Sequence, residues 1–118
     1  MYRVRQAAPA DSAVWAGLRH SLWREATVEE HAAEIGQFFA GELEEPQAVL
    51  FAELDDCGIV GVVELSERRH VPGCTTERVG FIEGLYVVPE LRHRGVARIL
   101  IQAASGIRKG PRQCGRQL

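Results

Sequence analysis

Two groups of residues in this chain could do chemistry. One is the run Arg92-His93-Arg94-Gly95-Val96-Ala97-Arg98, three arginines around a turn of small residues. A turn of that kind opening a helix leaves backbone N–H groups unpaired at the positive end of the helix dipole. With guanidinium groups nearby it reads as a cradle for phosphate. The other is Glu83, a carboxylate inside an apolar strand, where a charge without a partner is costly. Each has a plainer reading: a strand–helix corner with solvated arginines, and a sheet-edge Glu paired with Arg68 or Arg69.

The elements that position these groups follow from periodicity. Val79 to Val88 is β-branched, aromatic or aliphatic at most positions and reads as a strand, stopped by Pro89, which has no N–H for a ladder. From Gly95 the period changes, and Val96, Ile99, Leu100, Ala103 and Ile107 fall at helical spacing. Upstream, Tyr2 to Gln6 alternates as a first strand. Pro9, Asp11 and Ser12 open a helix with Val14, Leu18 and Leu22 as its buried stripe and Trp15 alongside. A second helix starts at Thr27, with Glu30 completing a capping box; Ile35, Phe38 and Phe39 form its inner face and Gly41 ends it. Ala48–Leu54 and Ile59–Ser66 read as strands joined by a hairpin turn at Asp55-Asp56-Cys57-Gly58, and Glu67 to Arg78 as a loop.

A chain of 118 residues fits one domain. It has no run of about 18 apolar residues and no signal-peptide pattern. Cys57, Cys74 and Cys114 form no C-x-x-C pair, so a reduced, cytoplasmic chain without a zinc site is expected. Charge is split: residues 1–91 hold 7 bases and 16 acids (7 − 16 = −9), whereas residues 92–118 hold 7 bases and no acid (+7). An acidic body suits a polycationic substrate and a basic end suits a phosphorylated cofactor, although solvated faces plus a basic tail give the same signs. Nucleic acid is not expected, because the basic end has no interleaved aromatics.

Arg92-x-x-Gly95-x-Ala97 resembles the pyrophosphate-binding signature R/Q-x-x-G-x-G/A of the GNAT superfamily of acetyl-CoA-dependent N-acetyltransferases. The wider string F-I-E-G-L-Y-V-V-P-E-L-R, with Leu18-Arg19-His20-Ser21-Leu22-Trp23 near the start, is similar to the aminoglycoside 6'-N-acetyltransferases. The resemblance runs from about Tyr2 to Ala104. It implies an α/β (α+β) GNAT fold, a mixed central sheet flanked by helices. Residues 1–104 are then the N-terminal part of the domain, apparently truncated after the third helix with the C-terminal strands missing, and residues 105–118 are a basic, irregular tail.

The reaction implied is acetyl transfer from acetyl-CoA to an aminoglycoside amine, which confers antibiotic resistance; no metal is implied. By resemblance Leu85, Tyr86 and Val87 contact the cofactor, with the Val87 N–H serving the thioester oxygen and Gly84 marking a strand break. Residues Arg92, His93, Arg94, Gly95, Val96, Ala97 and Arg98 hold the pyrophosphate. Glu83 contacts the substrate and deprotonates the incoming ammonium, directly or through water. Trp23 lines the sugar site, and His70 stands in the substrate loop where these enzymes commonly carry tyrosine. Family members are often dimers, so a homodimer is among the expected partners. Two alternatives remain open: an acetyltransferase for another amine, such as a polyamine or a protein N-terminus, and a non-catalytic remnant that associates through its sheet edge.

Overall fold

A computed structural model of the chain describes residues 2–69 and 78–107. The element order is β1 (Tyr2–Gln6), α1 (Ser12–Leu22), α2 (Val28–Phe39), β2 (Ala48–Leu54), β3 (Gly58–Arg69), β4 (Arg78–Val87) and α3 (Val96–Ile107). Short 3-10 turns at Pro9–Asp11 and Pro89–Leu91 lead toward α1 and α3. The four strands form one sheet in chain order, and every described pairing is antiparallel. The parallel pairing that would make the sheet mixed does not occur among the described residues.

Both faces of the sheet are covered, which explains why the strands read as nearly continuous apolar runs. Side chains alternate across the pleat. Leu50, Ala52, Val63 and Leu65 pack with Val96, Leu100 and Ala104 of α3. Val49, Phe51 and Val62 pack on the other face with Trp15 and Leu18 of α1 and Ile35 of α2. Trp15 is the hub there, with 0% exposure and edge-on contacts to Phe38, Phe39 and Phe51 at 5.2, 5.8 and 6.0 Å. Val14, expected in the buried stripe of α1, is 48% exposed. The bulky Trp15 takes the inward position, which rotates Val14 outward.

The Thr27 capping box is formed in both directions: the Glu30 amide donates to the Thr27 hydroxyl at 3.0 Å, and the Thr27 amide to the Glu30 carboxylate at 2.7 Å. β3 runs beyond Ser66 to Arg69 and β4 begins at Arg78, so both ends of the expected loop are paired strand. α3 runs to Ile107, the last residue at helical spacing, and so takes in Ser105 and Gly106 at the start of the expected tail; residues 108–118 lie outside the described residues.

β1 is tied to α1 by charge. Arg5 grips Asp11 in a two-pronged pair at 2.8 and 2.9 Å, and the Ala8 amide donates to the same carboxylate at 2.8 Å. Arg5 therefore holds the Asp11 carboxyl below its usual range. A depressed folded value means stability that is present above the unfolded value and lost as pH falls through the folded one. Asp11→Asn should cost about 1.5–3 kcal/mol at neutral pH. Urea melts between about pH 7 and pH 2 should show a shallower acid decline in that variant than in the parent.

Candidate active site

The local geometry is set by an irregularity in β4. Glu64 of β3 faces Gly84, but the next residue, Leu65, faces Ile82, so Glu83 is an extra residue in the ladder. A bulge of this kind re-aims a side chain. Strict alternation would put Glu83 on the same side as Leu85 and Val87, toward α3. With the bulge, Ile82 packs in the α3-side core, while Glu83 joins Gly84 on the α1–α2 side.

Glu83 there lines a cavity of about 680 Å³ between the α1–α2 corner, the segment leading into β2, and the sheet. Six carboxylates contribute to its wall: Glu25, Glu30, Glu34, Glu45, Glu64 and Glu83. Arg19 and His31 are the basic side chains in that wall, and Trp23 is its aromatic one. Arg19 pairs with Glu34 at 2.7 Å and lies 3.5 Å from Glu64, while its guanidinium covers the Trp23 ring at 5.1 Å. His31 is buried and donates Nε2–H to the Trp23 carbonyl at 2.9 Å; the adjacent His20 donates Nδ1–H to Ala26 at 3.0 Å. Two imidazoles thereby fix the corner that carries Trp23 and Glu25.

Glu64 is the most enclosed of these acids, at 2% exposure. It accepts the Trp15 indole N–H at 2.9 Å. Burial pushes its carboxyl above the usual range, against the pull of Arg19 and of the indole N–H.

The outer edge of β4 carries the second half of the site. The Val88 amide donates to Val60 at 3.0 Å, which fixes the phase of the ladder. In an antiparallel pair successive N–H groups alternate direction, so Tyr86 points at β3 while Leu85 and Val87 turn their amides outward. The outward Val87 carbonyl is taken by the Arg92 Nε–H at 2.9 Å, and the Arg92 guanidinium lies 5.2 Å over the Tyr86 ring.

Beyond it the chain makes two left-handed turns, at His93 (φ 68°) and Gly95 (φ 87°). A Cβ on Gly95 would meet nothing within 4 Å, so glycine serves the backbone angle there, not the space. The Ile99 amide donates to the Gly95 carbonyl at 3.0 Å, which leaves the Val96, Ala97 and Arg98 amides without acceptors inside α3. The first turn of α3 holds no acid, and Arg94 and Arg98 are exposed beside it. Bare amides, a positive dipole end and two free-standing cations fit a diphosphate.

Residues 15–116 match the family model of the acetyltransferase (GNAT) family. The chain belongs to the GNAT family. This GNAT chain is 40% identical over 107 residues to an aminoglycoside N(6')-acetyltransferase type 1 of Klebsiella aerogenes, covering 91% of itself and 70% of the relative. Its fold is similar to the crystal structure of the aminoglycoside antibiotic 6'-N-acetyltransferase AAC(6')-IG from Acinetobacter haemolyticus, with TM-score 0.75, 34% identity, and 89% and 70% of the two chains covered. It is also similar to AAC(6')-Iy in complex with the bisubstrate analogue CoA-S-monomethyl-acetylneamine, with TM-score 0.79, 32% identity, and 96% and 76% covered.

Of the residues singled out in the sequence, the fold brings Trp23 and Glu83 to one cavity and Leu85, Tyr86 and Val87 to the adjoining strand edge. His70 lies outside the described residues, as do the side chains of Arg68 and Arg69. The Arg92 guanidinium is folded back on β4, bonded to the Val87 carbonyl. His93 is exposed on the turn. Of the glutamates in the first 45 residues, Glu25, Glu30, Glu34 and Glu45 line the cavity, whereas Glu29, Glu42 and Glu44 are exposed and do not line it. Glu64, Glu25, Arg19 and His31 went unassigned by residue reasoning. Glu64 carries the same signal as Glu83, a lone carboxylate in an apolar strand.

The raised Glu64 value has a sign. Its folded form holds a proton more tightly than the unfolded one, so its contribution is most favourable below the unfolded value and declines as pH rises. Glu64→Gln should therefore gain stability relative to the parent between about pH 4 and pH 7, measured as the difference between paired urea melts.

Proposed function

We propose that this chain is an aminoglycoside 6'-N-acetyltransferase that uses acetyl-CoA as donor. The observation that carries the reading is Glu83, turned by the β4 bulge into a carboxylate-lined cavity beside the strand edge that leads to the basic turn. The names of the relatives support it, as does the charge of the cavity, which suits a polycationic amine.

Acetyl-CoA supplies an acetyl group activated as a thioester. The Val96, Ala97 and Arg98 amides, with the charges of Arg94 and Arg98, are the groups that would hold its diphosphate; His93 and Gly95 shape the turn that presents them. Leu85, Tyr86 and Val87 border its path along β4. The outward Val87 N–H is the donor available to the thioester oxygen. Arg92, bonded to the Val87 carbonyl, fixes that end of the strand.

On the acceptor side, an ammonium must lose a proton before its lone pair can attack. Glu83 is the base in this reading, directly or through a water. The remaining carboxylates concentrate and orient the polycation, and Trp23 gives the sugar an apolar wall. Cysteine usage supports a cytoplasmic location, and no described helix is long and apolar enough to cross a membrane. A homodimer belongs to the same reading.

Calorimetric titration should show acetyl-CoA binding to the chain, and thiol release should depend on kanamycin or tobramycin. Glu83→Gln should lower kcat about a hundredfold or more while leaving acetyl-CoA affinity intact; full activity in that variant removes Glu83 from the mechanism. The KM for the drug should rise with ionic strength, since the cavity attracts it by charge. Turnover of a polyamine or an N-terminal peptide in preference to both drugs would replace the acceptor.

A further inference from the structure

Gly84 does not adopt the left-handed φ that would call for glycine. Its surroundings call for it instead. A Cβ built there would lie 2.6 Å from Cη2 and 3.0 Å from Cζ2 of Trp23, and 3.1 Å from Cδ2 of Leu22. The Leu22 contact is with the tip of a flexible side chain, which can rotate away. The Trp23 contact is with a rigid ring that has little freedom. The Trp23 amide donates to Arg19 at 2.7 Å, its carbonyl accepts from His31, and the Arg19 guanidinium covers the ring.

We propose that Gly84 is a positioning residue for the acceptor amine: by lacking a Cβ, it lets the edge of Trp23 rest on the β4 backbone next to Glu83. The bulge turns Glu83 and Gly84 to the same side of the sheet, so the indole and the carboxylate stand on adjacent residues' ground. One wall is apolar and flat, the other is anionic, and a missing methyl sets their spacing. That pairing suits a primary ammonium carried on a sugar ring, with the ring on the indole and the ammonium on the carboxylate. Any side chain at position 84 lifts the indole and widens the gap. The effect falls on the acceptor and spares the donor, because the outward Leu85 and Val87 amides and the basic turn lie along the edge and past the end of β4; Tyr86 shares the face of Gly84, but its ring lies under the Arg92 guanidinium. The inference rests on the acceptor reading given under the proposed function.

The test is a double-substitution cycle in the full chain with Gly84→Ala, Trp23→Leu and both together. Gly84→Ala should raise the KM for kanamycin or tobramycin about tenfold or more and keep the acetyl-CoA dissociation constant within about twofold. It should also lower the unfolding midpoint by about 5 °C. Both losses should vanish in the Trp23→Leu background, where the indole is gone. An unchanged KM in folded Gly84→Ala, or equal losses with and without the indole, overturns the proposal. If Gly84→Ala alone fails to fold, a folded double variant supports the seating and an unfolded one contradicts it. A parent chain that binds acetyl-CoA but turns over no aminoglycoside refutes the acceptor reading instead, and the midpoint cycle then decides whether Gly84 seats Trp23.

Discussion

The arrangement depends on one extra residue in β4. A strand presents side chains with a period of two, so a carboxylate flanked by core residues must either enter the core or break the period. Here the ladder breaks between Glu64 and Leu65 of β3, and Glu83 is the residue that the break absorbs. Ile82 stays in the α3-side core, Leu85 and Val87 keep their inward phase, and the charge goes to the opposite face. The burial of an apolar neighbour on each side thus stabilises an irregularity that a regular sheet would resist. The same break brings Gly84 under Trp23.

Electrostatics divides the molecule along that strand. On the α1–α2 side, six carboxylates surround a cavity, and Arg19 holds two of them, Glu34 and Glu64, together. Glu64 needs that cation, because a buried carboxylate without compensation would be expensive. Past the end of β4 the sign reverses, with bare helix amides and exposed arginines. Under the proposed function, a donor carrying phosphate and an acceptor carrying amines would be attracted to opposite sides of one strand edge. Arg92 sits at the boundary, and its bond to the Val87 carbonyl ties the turn to the strand that separates the two halves.

Local signals in the sequence carried the frame. Alternation placed β1, and an apolar run ahead of a hairpin turn placed β2, at their observed bounds; Thr27 with Glu30 marked the start of α2 by a capping box that forms as expected. The change from strand to helical period around Pro89 and Gly95 located the basic turn, and Gly95 takes the left-handed angle that such a turn requires. What the residues could not reveal depends on partners distant in the chain. The position of the bulge, at Glu83 and not Gly84, depends on register with β3. The burial of Glu64 depends on Trp15, 49 residues away. The inward turn of Arg92 depends on a carbonyl that only the sheet's edge exposes. Val14 failed as a core residue because Trp15 claimed the inward position, a competition that helical spacing alone does not decide.

If the break in β4 delivers Glu83 to the amine and the start of α3 receives the diphosphate, a crystal structure of the chain with CoA and an aminoglycoside should show both contacts. Diphosphate oxygens should lie against the Val96, Ala97 and Arg98 amides, and a drug ammonium on the Glu83 carboxylate inside the acidic cavity. A regular β3–β4 ladder with Glu83 directed toward α3, or a drug bound away from that carboxylate, would contradict this placement.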